Sequence, residues 1–123
     1  MKIKLAELVQ TKNSSEEIMS IPLDVNTAWI LAGNFRKIEP FLKDFEKIRI
    51  QKIKEYGEEG ENGQINVKPE NINKFTNELS ELLEKEIDVD IKQVAMTDFK
   101  TSDGKSVDIS SAILFNIYFM IKE

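Results

Sequence analysis

From residue 28 the chain places an apolar residue at every third or fourth position: Ala28, Leu31, Phe35, Ile38, Leu42 and Phe45. That spacing lays all six side chains along one stripe of an α-helix. Trp29, Phe41, Ile48 and Ile53 widen the stripe. Pro22 opens the region and Asp24 carries an N-cap side chain, so the helix is predicted to start there. Pro40 falls inside the pattern. Its ring removes one backbone N–H and crowds the carbonyl four residues back. A kink is expected, or two helices with Pro40 near the start of the second. Lys47, Arg49, Lys52 and Lys54 load the last turns with positive charge, as the helix dipole favours, and Gly57 is a candidate C-cap.

A second stripe, Ile72, Phe75, Leu79, Leu82 and Leu83, follows Pro69 and Asn71, with Glu78, Glu81 and Glu84 facing out. Ile3 and Leu5 alternate with Lys2 and Lys4, which predicts a short strand running into a turn or short helix by Leu8. Thr11 to Ser15 reads as a polar loop, and Ser15 as the cap of a short helix over Glu16 to Ser20. Glu58 to Gln64 reads as a mobile acidic loop with a tight turn at Asn62-Gly63, followed by a short strand over Ile65 to Val67.

Ile87 to Lys92 alternates strictly, as a half-buried strand does, and the pattern extends as far as Val94 or Met96. Asp103-Gly104 marks a turn. Ile113 to Ile121 is nearly all apolar, so periodicity leaves helix and strand both open. Ser110 as an N-cap, with Leu114, Ile117 and Ile121 on one side, favours a C-terminal helix. The pattern predicts one α+β domain over residues 1–123. In it a kinked long helix packs on a second helix, with a small, mainly antiparallel sheet on one side.

Composition narrows the chemistry more than the fold. The 123 residues are long enough to bury one core, and 41% hydrophobic with 32% charged residues is neither disordered nor membrane-spanning in character. The N-terminal residues lack the apolar run of a signal peptide, which with the absence of cysteine leads to a cytoplasmic expectation. Histidine is absent too, so the usual neutral-pH acid/base group and the commonest zinc ligand are both missing. Serine–histidine, cysteine–histidine and zinc-finger schemes are excluded. Carboxylate chemistry, lysine chemistry and carboxylate-bound magnesium or calcium remain open. A net charge of −5 disfavours non-specific attraction to nucleic acid or anionic membrane and permits a basic protein partner.

Within those bounds, Asp88 and Asp90 share one face of the alternating strand, roughly 7 Å apart, and could hold magnesium. They also suit the solvent side of an ordinary strand. Asp98, Asp103 and Asp108 lack the spacing of a calcium loop, and Glu58, Glu59 and Glu61 suit a hydrated loop. No phosphate-binding glycine pattern is present, and no cofactor is expected. Lys47, Arg49, Lys52 and Lys54 beside Tyr56 offer weak nucleic-acid contact, diluted by Glu46 and Glu55. Trp29, Phe35, Phe41 and Phe45 are core residues or a partner's anchors. Phe115, Tyr118, Phe119 and Met120 need contacts on every side, which raises a self-dimer or a partner as their cover.

The opening Met1-Lys-Ile-Lys-Leu-Ala-Glu-Leu, the helix from Ala28 through Glu46-Lys-Ile-Arg to Lys54-Glu-Tyr-Gly57, the run Phe75-Thr-Asn-Glu-Leu-Ser-Glu-Leu-Leu-Glu and the strand Ile87-Asp-Val-Asp-Ile occur in that order. This order resembles a group of small bacteriophage and prophage proteins of unknown function. The resemblance spans most of the chain, implies an accessory or morphogenetic role and brings no catalytic residues with it. The reading it leads to is a non-enzymatic protein-binding module with Trp29, Phe41 and Tyr56 as candidate anchors. Its partner would be a virion component, a host protein or a defence nuclease. The alternatives are a carboxylate-dependent magnesium hydrolase or nuclease and a weak nucleic-acid binder.

Overall fold

The computed structural model describes residues 1–122, and in it the N-terminal alternation becomes strand β1 (Lys2–Lys4), running directly into helix α1 (Leu5–Gln10). Thr11 ends α1 and at once begins helix α2 (Lys12–Met19). The loop expected over Thr11 to Ser15 is therefore helical, and Ser15 is an interior residue rather than a cap. Polarity misled the sequence reading here because the hydroxyls are used inside the protein. Thr11 is 1% exposed and donates to the Leu8 carbonyl at 2.7 Å, while Ser14 is buried and accepts from Asn116 at 2.9 Å.

Helix α3 (Val25–Tyr56) is the spine of the molecule, a kinked helix of 32 residues, about 48 Å long. It continues through Pro40 as one helix, so the two-helix alternative does not occur. Pro40 sits on an exposed position, away from the core, so the hydrogen bond its missing N–H forfeits is not lost inside the packed interior. Asp24 caps the start as expected, with Oδ1 accepting from the backbone N–H groups of Asn26 and Thr27 at 3.1 and 3.3 Å. Its Oδ2 accepts from the Thr27 hydroxyl at 2.9 Å. These bonds, the Thr27 hydroxyl first, hold the Asp24 carboxyl below its ordinary value.

A folded-state pKa below the unfolded one contributes stability that is complete above the unfolded pKa and lost as pH falls through the folded one. Asp24→Ala is therefore expected to be less stable than wild type at neutral pH and to converge with it in strong acid. Urea midpoints across a pH series check this. A constant difference at every pH would show that the carboxylate charge contributes nothing.

The far end of α3 passes into β2 (Gly57–Glu59), which pairs antiparallel with β3 (Ile65–Val67). The acidic segment is thus partly a hairpin, turned at Gly63 with φ of 74°. Gly57 is extended, not left-handed, and is required for a different reason. A Cβ there would lie 2.3 Å from the Ile53 carbonyl oxygen and 2.8 Å from that of Asn66. A short 3₁₀ turn over Pro69–Asn71 leads into α4 (Ile72–Leu83), whose Leu79, Leu82 and Leu83 pack against the core without full burial.

Strand β4 (Glu86–Asp88) pairs antiparallel with β1, aligning Ile3 with Ile87. It is shorter than the alternation suggested. One more backbone bond follows Asp88, from the Val89 N–H to the Met1 carbonyl at 2.9 Å, and then the chain leaves the sheet, while Val89 and Ile91 remain buried in the core. The strands form two separate antiparallel pairs instead of one sheet. Ser110 caps α5 (Ser111–Asn116), its Oγ accepting from the Ile113 N–H at 3.3 Å. A 3₁₀ turn over Tyr118–Met120 follows, and Ile121 makes a lone parallel bridge to Val94. The C-terminal run is therefore helical for the most part.

The core lies on one side of the first two-thirds of α3. Leu31, Ile38 and Phe45 meet Leu8 and Ile18 from the N-terminal helices, Val94 and Phe99 from the segment after β4, and Ile113, Ile117 and Met120 from the C-terminus.

Candidate interaction face of the long helix

A helix of 32 residues with its core on one side must present the other to solvent. Trp29 lies on that outward side. It stands two residues from fully buried Leu31, which turns it about 200° around the axis, and it is 71% exposed. Val25, one turn earlier, is 76% exposed.

The other two candidate anchors do not join it. Phe41 is half-buried against the core. Tyr56 stands 27 residues from Trp29, about 40 Å along the axis and on the opposite face. Its hydroxyl donates to Glu78 Oε1 at 2.7 Å and ties α3 to α4. That bond is the first cause that pushes the Tyr56 phenol up and holds the Glu78 carboxyl down. Glu78 Oε2, buried without a hydrogen bond, has Lys52 Nζ 3.4 Å away.

The basic cluster read at the end of the helix is divided in the same way. Arg49 pairs with Glu46, and Lys52 pairs with Glu55 at 2.9 Å. Lys47 and Lys54 instead point outward, in line with two cations that sequence proximity did not suggest. Trp29, Arg36, Lys43, Lys47 and Lys54 follow one another at spacings of seven, seven, four and seven residues. Each seven falls about 20° short of two turns and the four restores it, so all five share one ridge. All five are exposed. Lys43 pairs with Glu39 at 3.1 Å, whereas Arg36, Lys47 and Lys54 make no ion pair among the described residues. The signal was legible at helical spacing and hidden by searching for charges adjacent in sequence.

At the Trp29 end the ridge meets a small cleft of about 200 Å³ lined by Trp29, Gly33, Arg36, Lys37 and Lys92. Lys92 is held there through its backbone. Asn34, 1% exposed, donates from Nδ2 to the Lys92 carbonyl at 2.8 Å and accepts from the Lys92 N–H at 3.0 Å. This pairing imitates a strand neighbour for a segment that has none. Lys37 is bound to Asp90, with Nζ donating to the Asp90 carbonyl at 2.8 Å and lying 3.5 Å from Oδ2. Arg36 also borders a larger open groove of about 590 Å³ between α2 and α3, with Met19, Phe35 and Leu42 in its wall.

The two aspartates considered for magnesium each face a cation. Asp88 Oδ1 lies 3.2 Å from the N-terminal amine, and Asp90 is the partner of Lys37. No three carboxylates gather into a metal-holding group among the described residues. Glu58 and Glu59 are spread along β2, with Glu61 in the turn beyond. No helix among the described residues is long and apolar enough to cross a membrane.

No protein-family model, no curated protein and no solved structure matches the chain.

Proposed function

We propose that this chain is a non-enzymatic protein-binding module of bacteriophage origin, acting in the host cytoplasm as an accessory factor, and that it docks its partner around Trp29. The exposure of that side chain carries the reading. The sole tryptophan of the sequence is 71% exposed on the face of α3 turned away from the core. Tryptophan is the residue most enriched among binding hot spots, and a folded domain gains nothing by leaving one in water. The phage assignment rests on the sequence resemblance.

The test is comparative capture from infected host cells. A virion or host protein retained in stoichiometric amount by the wild-type chain is expected to be released by Trp29→Ala. It is expected to stay bound to Tyr56→Phe, which loses only the tie to Glu78. Undiminished capture by a folded Trp29→Ala variant overturns the proposal.

A further inference from the structure

Building on that docking face, we propose that the partner presents an acidic protein segment, with one carboxylate seated in the cleft between Trp29, Arg36 and Lys92. The chain is acidic overall, at −5, yet Arg36, Lys37 and Lys92 line the cleft beside its exposed tryptophan. Of the three cations lining the cleft, Lys37 already has Asp90. Arg36 and Lys92 have no anionic partner among the described residues. Two unneutralised cations beside one hollow repel each other, and an entering anion relieves that repulsion.

The dimensions select the kind of anion. A cleft of about 200 Å³ is smaller than the ~300–1,000 Å³ of cofactor and metabolite sites and suits a single side chain. Gly33 leaves it open, since a Cβ at that position would touch nothing within 4 Å. The indole forms an apolar wall for the methylenes of a glutamate, while the guanidinium and ammonium take its oxygens. Beyond the cleft, Lys43, Lys47 and Lys54 recur at the helix's own period. An acidic helix laid along α3 repeats its carboxylates at that same period, as charged flanking positions do in paired helices. A nucleic-acid backbone fits less well. Its affinity depends on neutralising many phosphates, and the cleft offers only two unpaired cations, Arg36 and Lys92.

Because the sequence holds one tryptophan, its fluorescence reports on the cleft directly. Hexaglutamate titrated into the 123-residue chain at low salt is expected to change Trp29 emission saturably, with the response lost at high salt. The double variant Arg36→Gln/Lys92→Gln is expected to bind about tenfold more weakly, as two exposed charge contacts would allow. Gly33→Leu keeps every charge but fills the hollow, and the same loss is expected. Circular dichroism verifies that both variants fold.

The inference is overturned if hexaglutamate gives no saturable change, if either variant binds as wild type does, or if oligothymidylate binds more tightly. Hexaglutamate failing while capture still depends on Trp29 rejects the acidic segment and keeps the docking face. Capture indifferent to Trp29→Ala rejects the docking face and with it the partner's seat in the cleft, even where hexaglutamate binds.

Discussion

Asn34→Leu is expected to lower folding stability by about 3 kcal/mol in urea unfolding, although the new side chain is apolar and close in size. The leucine cannot replace what the amide does. Asn34 is buried and is the partner of both the N–H and the carbonyl of Lys92, at 3.0 and 2.8 Å. Each backbone group left unpaired costs roughly 1–3 kcal/mol where water cannot replace the bond. The segment after β4 also approaches α3 at Thr27, whose one hydroxyl proton is shared between Asp24 Oδ2 at 2.9 Å and the Asp98 carbonyl at 3.1 Å. Asn34→Leu should therefore loosen one end of that segment and release Lys92, weakening the response of Trp29 to hexaglutamate. A variant as stable as wild type would show that the two bonds contribute nothing net.

Leu31→Ala is expected to cost about 3 kcal/mol, and Trp29→Ala, two positions earlier, no more than about 0.5 kcal/mol. Leu31 is 0% exposed in the centre of the core, so truncating it removes transfer free energy and leaves a cavity. Trp29 is the larger residue, but most of its ring is already in water. Stability and capture should thus separate cleanly, with Leu31 governing the first and Trp29 the second. Comparable destabilisation by both, measured by urea midpoints, would mean the indole is packed against the protein and would remove the basis for a docking role.

Much of this architecture could be read from spacing alone. The two helical stripes, the caps at Asp24 and Ser110, the strand over Ile65–Val67 and the turn at Asp103-Gly104 all have local causes, and all occur. What escaped is polar and buried. Thr11, Ser14, Thr27 and Asn34 lie on inward faces because each has a specific partner; that of Thr11 is three residues back, but Ser14, Thr27 and Asn34 meet Asn116, Asp98 and Lys92, all distant in sequence. Hydrophobicity cannot anticipate such positions. The strand read over Ile87 to Lys92 had the right inward residues, Val89 and Ile91, but no neighbouring strand beyond Asp88 to pair with. Of the candidate site, the exposure of Trp29 could not be inferred from a sequence in which core and surface aromatics follow the same spacing. The ridge of Arg36, Lys43, Lys47 and Lys54 could have been found by counting in sevens and fours.

The order in which the core is assembled bears on how the chain is made. The apolar stripe of α3 is complete once Phe45 has been added, yet part of its cover, Ile113, Ile117 and Met120, comes from far later in the sequence. A ribosome needs on the order of ten seconds to cross that interval. During translation the nascent spine carries a strip of leucine, isoleucine and phenylalanine that stays partly uncovered until those residues arrive. Premature termination shortly before Ile113 would release a polypeptide whose apolar strip lacks part of its cover, prone to association and to proteolysis.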